Sequence, residues 1–388
     1  MAEKKSPLTV LFFSPYFYPY ISGLTQYPYR LFSEHKENMS ATCLTFQHDV
    51  ALPPTTTITH NFLIKRIPFL LRISKGFISP QSILTFWREL DHHDVVLLNL
   101  PSVEGILLAL FARMRAVPVV SLLHCEVLLP PGILNRIVNS ILNVCVYLQL
   151  LLSEKIIVYT TDYYDSKPLY NRFKQKMHVI LPPVHSEAPS TAFEQELGIM
   201  KNSRTAIGFC GRIAYEKGIE TLIEALKKMD NYVLFFAGPH GKEVVGEDVY
   251  YAKIHHLLTT FKIPHIFLGT LSGPKLSAFY NAIDVLVLPS INKTEAFGMV
   301  QVEAMLQGTP VIASDLPGVR IPIRLSHMGV LTAPGDSIKL TDAIKEVTTH
   351  TAQYTNAHLT KQIATHFDSQ KTYQTVYNLL NSYGKKNA

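Results

Sequence analysis

The sequence lacks several motifs by which nucleotide-binding and metal-dependent enzymes are usually recognised. Its 388 residues contain no GxxxxGK[ST] phosphate loop, no GxGxxG dinucleotide fingerprint and no GxSxG nucleophile elbow. There is also no D-x-D triplet and no clustered His/Cys spacing that would hold a divalent cation. Any nucleotide would therefore have to be bound by cationic side chains and helix N-termini, without a metal ion.

Cysteine and charge are both sparse. None of the four cysteines (Cys43, Cys125, Cys145 and Cys210) forms a CxxC pair, which favours free thiols in a reducing, cytoplasmic compartment. Charged residues make up 17% and hydrophobic residues 47% of the chain, a globular composition without disorder. The formal net charge of +6 is too modest to indicate a nucleic-acid partner, but it would suit anionic substrates or the anionic inner face of a membrane.

Short apolar runs alternate with helical patterns along the whole chain, which is typical of parallel βαβ units. The runs are almost continuously hydrophobic, which predicts sheets covered on both faces. The predicted strands are Leu8–Phe13, Ala41–Phe46, Val95–Asn99, Val117–Leu123, Lys155–Tyr159, Ala206–Cys210, Tyr232–Ala237, Ile266–Leu268, Val285–Leu288 and Pro310–Ala313.

A proline-containing polar stretch, Pro182–Thr205, interrupts this rhythm and is interpreted as a linker with a short helix. The sequence thus predicts an α/β protein of two facing, doubly wound, Rossmann-like domains, 1–183 and 184–368. A final helix, within 369–388, should pack back on the first domain. Ligands of such sheets bind beyond the carboxyl ends of the strands, so one cleft is expected between the halves.

One segment has an unusual lack of charge. No charged residue occurs between Arg136 and Glu154, a length close to the minimum of about 17 residues for a membrane span. Asn139, Asn143 and other polar residues favour a buried or membrane-facing helix of a soluble domain instead. Together with apolar residues near Arg113 and Arg115, the segment predicts peripheral association with an anionic membrane, where lipid-linked acceptors would be available.

The strongest chemical signal follows the predicted strand Val285–Leu288. A loop containing Glu295 leads into a helix that should begin near Phe297 or Gly298, and helix N-termini bind phosphate oxygens. Glu295 could reach sugar hydroxyls, and Glu303, about two turns further along, could accept hydrogen bonds from a ribose. An acidic helix cap followed by a solvated glutamate would explain the same residues.

A second signal follows the strand Ala206–Cys210. Arg212 and Lys217 lie in a loop where a ligand would be expected, and two cations can neutralise a diphosphate. They would also stabilise the charge that develops when a sugar leaves. A solvated turn with ordinary surface charges is the alternative.

Two weaker signals lie in the first half. His124 ends an apolar strand and could hydrogen-bond sugar or acceptor groups, or could be a structural histidine with satisfied ring nitrogens. Glu126 could orient His124 or the acceptor. The small-residue turn at Ser22-Gly23 leads into a helix and suits phosphate or sugar approach.

Taken together, these motifs resemble those of the retaining glycosyltransferases of family 4, the glycosyl transferases group 1, which have the two-domain GT-B fold. The resemblance covers nearly the whole chain. It departs from the family at Ser22-Gly23, where a glycine pair is usual, and at Glu126, which is often aspartate. The matching segments are Glu295 to Glu303, Gly211–Gly218, Gly308–Ala313, Ser22–Thr25 and His124–Glu126.

The resemblance implies a role for each matching residue. Arg212 and Lys217 would hold the donor diphosphate, and Glu295 would contact the transferred sugar and support its anomeric carbon. Glu303 would hold the ribose, and His124 would lie beside the sugar. Donor contacts are also implied for Gly23 and for the backbone amides of Phe297, Gly298 and Met299.

The expected function is therefore metal-independent transfer of a hexose, with retention, from a UDP- or GDP-sugar to a hydroxyl of a glycan or lipid-linked acceptor. No cofactor is expected, since the nucleotide-sugar is a substrate. Two alternatives stay open: a nucleotide-sugar epimerase on the same fold, and a catalytically silent partner in glycan assembly.

Overall fold

The computed structural model describes residues 7–20, 22–33, 38–73, 76–127, 132–241, 247–292 and 294–384. The chain divides into two compact units. The first combines residues 1–183 with 369–388, and the second is the continuous segment 184–368. These bounds coincide with those that the proline-containing linker predicts.

The first unit is an α/β sandwich. Its strands are β1 Leu8–Phe13, β2 Met39–Phe46, β3 Thr55–Thr59, β4 Phe62–Ile67, β5 Leu71–Ile73, β6 Gly76–Ile78, β7 Val95–Leu100, β8 Val119–Leu123, β9 Lys155–Val158 and β10 Met177–Val179. Its helices are α1 Gly23–Ser33, α2 Pro80–Glu89, α3 Gly105–Met114, α4 Ile133–Leu152, α5 Thr161–Asp165, α6 Pro168–Asn171 and, from the end of the chain, α16 Ser369–Tyr383.

The main sheet of the first unit has the order β10-β9-β8-β7-β1-β2-β4-β3. All its neighbours are parallel except β3, which runs antiparallel to β4. Strands β1 and β7 form the middle of the sheet, and their side chains are almost completely buried. Continuous burial of this kind requires helices on both faces, as the apolar runs predicted.

Helix α16 belongs to this unit although the whole second unit, residues 184–368, lies between it and β10 in the sequence. It buries one stripe of side chains at helical spacing, Tyr373, Val376 and Leu380. The Thr372 hydroxyl also donates to the carbonyl of Leu181 at 3.2 Å. The last helix therefore completes the first unit.

The second unit is a smaller sheet with helices on both sides, in the strand order β13-β12-β11-β14-β15-β16, all parallel. Its strands are β11 Thr205–Cys210, β12 Tyr232–Ala237, β13 His265–Phe267, β14 Val285–Leu288, β15 Val311–Ser314 and β16 Gly329–Thr332. Its helices are α7 Thr191–Lys201, α8 Ile219–Leu226, α9 Asp248–Thr260, α10 Gly273–Ala282, α11 Met299–Leu306, α12 Ile321–Ser326, α13 Ser337–Thr349, α14 Thr351–Tyr354 and α15 Ala357–His366.

Every strand predicted from an apolar run is present, with ends that differ from the predicted ones by no more than two residues. The sequence did not reveal β3, β4 or β16, and it missed the short strands β5, β6 and β10. Strand β3 is almost entirely threonine and lies at the sheet edge, where burial does not demand an apolar run.

Helix α4 is long and apolar enough, by length and composition alone, to cross a membrane, and only 17% of its most apolar window is buried. It packs against α3 and β8 in the first unit.

Candidate active site

Each sheet has one topological switch point, where a ligand site is expected beyond the carboxyl ends of the strands. In the first unit the chain leaves β1 towards β2 and later returns to its other side at β7. In the second unit it leaves β11 towards β12 and returns at β14. Gly23 follows β1, and Arg212, Lys217 and Glu295 follow β11 and β14 at the switch points. His124 and Glu126 follow β8, which lies next to β7 in the sheet of the first unit.

At the switch point of the second unit, Lys217 forms an ion pair with Glu295. The Lys217 Nζ donates to Glu295 Oε2 at 2.5 Å, and the two side chains are only 16% and 15% exposed. The loop after β11 is thus tied to the loop after β14. The sequence predicted both residues at a donor site but did not predict that they form an ion pair.

Arg212 is more open to solvent. Its Nη2 donates to Glu216 Oε1 at 2.8 Å, and its side chain is 45% exposed. The guanidinium has five N–H donors, so this contact leaves others for an anion. Both predicted cations therefore have a carboxylate partner, and a diphosphate would have to compete with Glu216 and Glu295 for them.

The loops at this edge approach one another so closely that glycine is required. A side chain at Gly218, whose φ is +65°, would lie 2.2 Å from the Pro289 carbonyl oxygen. A side chain at Gly238, whose φ is +138°, would lie 2.2 Å from the Gly211 carbonyl oxygen. The loops after β11, β12 and β14 consequently form one packed block.

The phosphate-binding helix start predicted near residue 297 is helix α11, which begins at Met299. Gly298 precedes it in a left-handed conformation (φ +77°, ψ +68°). A side chain on Gly298 would lie 2.5 Å from Leu288 Cδ2, so packing alone already demands glycine there. Phe297 is buried, and its carbonyl accepts from Gln301 Nε2 at 2.9 Å. The first N–H groups of α11 have no intrahelical acceptors and point beyond the helix end.

Glu303 lies one helical turn into α11, beside the end of β11. The Tyr280 hydroxyl donates to Glu303 Oε2 at 2.9 Å and lies 3.3 Å from Cys210 Sγ. Burial raises the pKa of the Tyr280 phenol well above its ordinary value, which keeps it a donor. Tyr280 therefore holds the carboxylate in one orientation.

In the first unit, His124 belongs to a buried hydrogen-bond network. It is 2% exposed, its Nε2 lies 2.5 Å from Asn99 Oδ1, and its Nδ1 contacts the Tyr159 hydroxyl. The Asn99 amide donates to Ser14 Oγ and to the Leu24 carbonyl, both at 3.0 Å. Because Asn99 Nδ2 uses its donors there, Oδ1 must accept from His124, which assigns the Nε2–H tautomer.

Burial lowers the pKa of His124 from 6.5 to about 3, so its ring is neutral at physiological pH. Both ring nitrogens are engaged within the unit. The structure thus supports the alternative of a satisfied structural histidine: in this arrangement the ring has no nitrogen to offer a sugar, and it joins the carboxyl ends of β7, β8 and β9.

The prediction that Glu126 orients His124 is wrong. Glu126 forms an ion pair with Lys167, whose ammonium also lies 4.1 Å from the centre of the Tyr163 ring. The Glu126 backbone N–H donates to the Tyr163 hydroxyl at 3.0 Å. Glu126 is therefore held on the α5–α6 side of its loop, and its predicted contact with an acceptor stays a prediction.

Gly23 is the first residue of α1, and its surroundings differ from those of the other site glycines. A side chain added there would meet nothing within 4 Å. The fold therefore does not demand glycine at this position, and the open space is compatible with the predicted donor contact.

Comparison with known proteins identifies a family that the second unit resembles. The sequence profile of the family described as glycosyl transferases group 1 matches residues 191–362, which lie wholly within this unit. The match covers less than half of the chain, and it shows that the second unit is similar to this family. The resemblance seen in the sequence motifs is confirmed for the second unit, and residues 184–368 are called the group 1 domain below.

Curated relatives match the chain over part of their length. A glycosyltransferase of Methanocaldococcus jannaschii that has not been characterised is 34% identical over 146 residues, which are 37% of this chain and 35% of that protein. A D-inositol 3-phosphate glycosyltransferase of Corynebacterium diphtheriae is 31% identical over 201 residues, 48% of this chain and 44% of that protein. The chain thus spans less than half the length of these relatives in the alignments.

Solved structures match over the whole chain. Anabaena HepE, crystallised in complex with UDP and glucose, superposes with a TM-score of 0.77 and 19% identity, covering 97% of this chain and 100% of that one. At this identity the likeness shows the fold alone. The predicted α/β fold of two doubly wound, Rossmann-like domains, the GT-B fold, is confirmed.

Sequence reasoning missed several residues of both units. Asn99 and Tyr159 each end a predicted strand. His124 was selected because it is a polar residue at the end of a strand, and the same criterion could have selected these two. Tyr280 lies inside a helix of the group 1 domain and carried no signal. His240, whose ring stacks on Phe267 with centres 5.0 Å apart, follows Gly238 at the end of β12. Across the described ranges, no three His, Cys, Asp or Glu side chains gather as a metal-ligand set.

Proposed function

We propose that this protein is a retaining glycosyltransferase that moves a hexose from a UDP- or GDP-sugar to a hydroxyl of a glycan or lipid-linked acceptor. The observation that carries the proposal is the Lys217–Glu295 pair at the switch point of the group 1 domain, where a cation for the diphosphate and a carboxylate for the sugar lie 2.5 Å apart. No cofactor and no divalent cation take part in the proposed reaction.

In this proposal the donor diphosphate binds beside the two cations of the group 1 domain and the N-terminus of α11. Lys217 and Arg212 exchange part of their carboxylate contacts for phosphate oxygens, and the N–H groups at the start of α11 complete the site. Glu303, fixed by Tyr280, accepts from the ribose hydroxyls. As the sugar leaves, the negative charge that grows on the diphosphate is stabilised by cations already in place.

The chemical step needs no nucleophile from the protein. The bond between the anomeric carbon and the phosphate oxygen breaks, and the acceptor oxygen bonds to the same carbon from the same face. The acceptor proton passes to the departing phosphate oxygen, so charge and atoms balance. Glu295, displaced from Lys217, lies against the electron-poor sugar and stabilises its positive charge.

The relatives support a nucleotide-sugar donor without fixing its identity. HepE was crystallised with UDP and glucose, which makes UDP-glucose the first donor to test. The acceptor of the Corynebacterium relative is a phosphorylated cyclitol by its name, which is a hydroxyl compound. A cytoplasmic location is part of the proposal because the four cysteines form no disulfide with one another.

The donor is tested by thermal unfolding of the full chain with UDP-glucose, GDP-mannose and ADP-glucose. A donor at about a hundredfold over its Kd adds roughly 2.7 kcal/mol of stability, which one nucleotide should show and the others should not. Lys217→Ala should abolish the shift, and EDTA should leave it unchanged. If no nucleotide-sugar stabilises the protein, the proposal is wrong.

Two further measurements separate the alternatives. An epimerised nucleotide-sugar formed without acceptor, detected by NMR, would replace the transferase by an epimerase. Unchanged cellular glycan in strains carrying Glu295→Ala and Lys217→Ala would indicate a catalytically silent partner. With a bound donor and a competent acceptor, the coupling constant of the product's anomeric proton reports whether configuration is retained.

A further inference from the structure

Helix α4 of the first unit has its apolar side outward. Ile133, Ile137 and Val144 are 81%, 53% and 58% exposed. The polar Gln149, by contrast, is completely buried, and its Nε2 donates to the carbonyls of Ser102 at 2.7 Å and Cys145 at 3.0 Å. A surface helix of a soluble domain normally shows the opposite arrangement, so the outer side of α4 is built for apolar surroundings.

Exposed apolar side chains are also present on the two neighbouring helices. Helix α4 packs against α3, and α3 packs against α2. We call the whole surface the apolar face. It comprises Ile83 and Leu84 of α2, Leu110 and Met114 of α3, and Ile133, Ile137, Ile141, Val144, Leu148 and Leu151 of α4.

Within the described parts of helices α2, α3 and α4, the exposed charges that have no ion-pair partner are positive, although the exposed Glu154 follows the end of α4. Arg88, Arg113 and Arg136, one on each helix, are exposed, and none of them has an ion-pair partner among the described residues. The acidic side chains on and between these helices are engaged or buried. Glu89 pairs with Lys65, Asp91 pairs with Arg115, and Glu104 is mostly buried and accepts from the Phe77 N–H at 2.6 Å.

We propose that the apolar face is a docking surface for a lipid bilayer with anionic headgroups. The exposed isoleucine, leucine and valine side chains of α4 would enter the boundary between headgroups and acyl chains, and the three arginines would contact lipid phosphates. The helix would lie in the plane of the surface, since its other side is packed in the unit through Gln149, Leu150 and Val146.

The same charge pattern disfavours a second copy of the chain as the occupant. Pairing two apolar faces would bring mainly arginine against arginine, because the described residues of α2, α3 and α4 include no unpaired acidic side chain and only Glu154 follows at the end of α4. A bilayer supplies both the apolar interior and the negative charge. Only six residues, 127–132, separate α4 from Glu126, so a docked helix would hold the predicted acceptor side of the first unit near the membrane.

The test is flotation of the full chain with vesicles of phosphatidylcholine alone and of phosphatidylcholine with phosphatidylglycerol. We expect binding to the anionic vesicles that weakens as salt is raised. Arg113→Gln with Arg136→Gln should weaken binding by about fivefold for each arginine removed. Ile137→Gln with Ile141→Gln should weaken it by at least about tenfold.

Matched controls exist in the group 1 domain. Ile199 and Ile338 are 80% and 60% exposed, so Ile199→Gln with Ile338→Gln removes as much exposed apolar surface elsewhere. These changes should leave flotation unaffected. Circular dichroism and the melting temperature verify that each variant is folded, which is expected because all four isoleucines lie on the surface.

Three results would overturn the proposal: no flotation with anionic vesicles, equal loss of binding in the group 1 domain control, or a wild-type dimer in sedimentation equilibrium that Ile137→Gln with Ile141→Gln dissociates. The last result would assign the face to a second copy instead. Stabilisation by a nucleotide-sugar is measured without lipid, so failure of the membrane proposal and failure of the proposed function are distinguishable.

Discussion

Replacing Glu295 by glutamine should make the protein bind free UDP more tightly while slowing sugar transfer. In the unliganded protein Glu295 holds Lys217 at 2.5 Å with both side chains about 15% exposed. Exposed ion pairs contribute roughly 0.2–1 kcal/mol, and because this pair is mostly buried we take the upper end of that range, about 1 kcal/mol. A diphosphate must displace this contact, and removing the carboxylate spares that cost.

The expected gain in UDP affinity is therefore about fivefold, measured by isothermal titration. Glu216→Gln is the matched control, because it frees Arg212, which is 45% exposed. An exposed pair of this kind contributes a few tenths of a kcal/mol, so the control should change UDP affinity by less than about twofold.

Transfer from the nucleotide-sugar should respond in the opposite direction, since Glu295→Gln loses the charge that supports the anomeric carbon. Opposite signs for UDP binding and for turnover are the signature of a carboxylate shared between lysine and sugar. UDP affinity equal to or below that of the wild type would refute the reasoning, because it would show that the Lys217–Glu295 pair persists in the complex.

Three further predictions concern stability and binding. Gly298→Ala should destabilise the group 1 domain by about 2–3 kcal/mol in thermal unfolding, because the added methyl group overlaps a leucine and φ is positive. Gly23→Ala should leave stability unchanged, since the added methyl group meets nothing. If the donor lies beside Gly23, this variant should lower donor affinity alone. The His124 ring is neutral in the folded protein, and below its ordinary pKa of 6.5 it gains a proton on unfolding. Its contribution to stability is therefore complete above that pH and is lost as the pH falls towards 3. From pH 7 to pH 5, the free energy of unfolding in denaturant titrations should fall by about 2 kcal/mol more in the wild type than in His124→Gln. Tyr280→Phe should weaken nucleotide binding by roughly three- to tenfold in calorimetry by releasing Glu303, and unchanged affinity would remove the ribose role from that glutamate.

The central strands were predictable because their burial constrains their amino-acid sequence. Central strands such as β1 and β14 are buried on both faces, which imposes continuous apolar runs that the sequence shows directly. Edge strands carry no such constraint: β3 has the sequence TTTIT, and β5 has only three exposed residues, so neither produces a pattern that distinguishes a strand from a loop.

The candidate site was predictable only in part. Position after a central strand correctly located Arg212, Lys217 and Glu295 at one sheet edge, because carboxyl ends of parallel strands share that edge. Side-chain pairing was not predictable, since the contact between Lys217 and Glu295 joins residues 78 positions apart and depends on loop packing. For His124 the same positional rule could not distinguish an open edge from a buried network.

The discontinuity of the first unit has a consequence for biosynthesis. Its sheet is complete in sequence at β10, but α16, which supplies Val376 and Leu380 to its core, is made only after the whole group 1 domain. At roughly 5–20 residues per second, the ribosome needs about ten to forty seconds to cover that interval. The group 1 domain, being continuous, can finish folding first. Until α16 is made, the nascent first unit lacks Val376 and Leu380, which are completely buried in the folded protein, and this makes it the more natural client for a ribosome-associated chaperone.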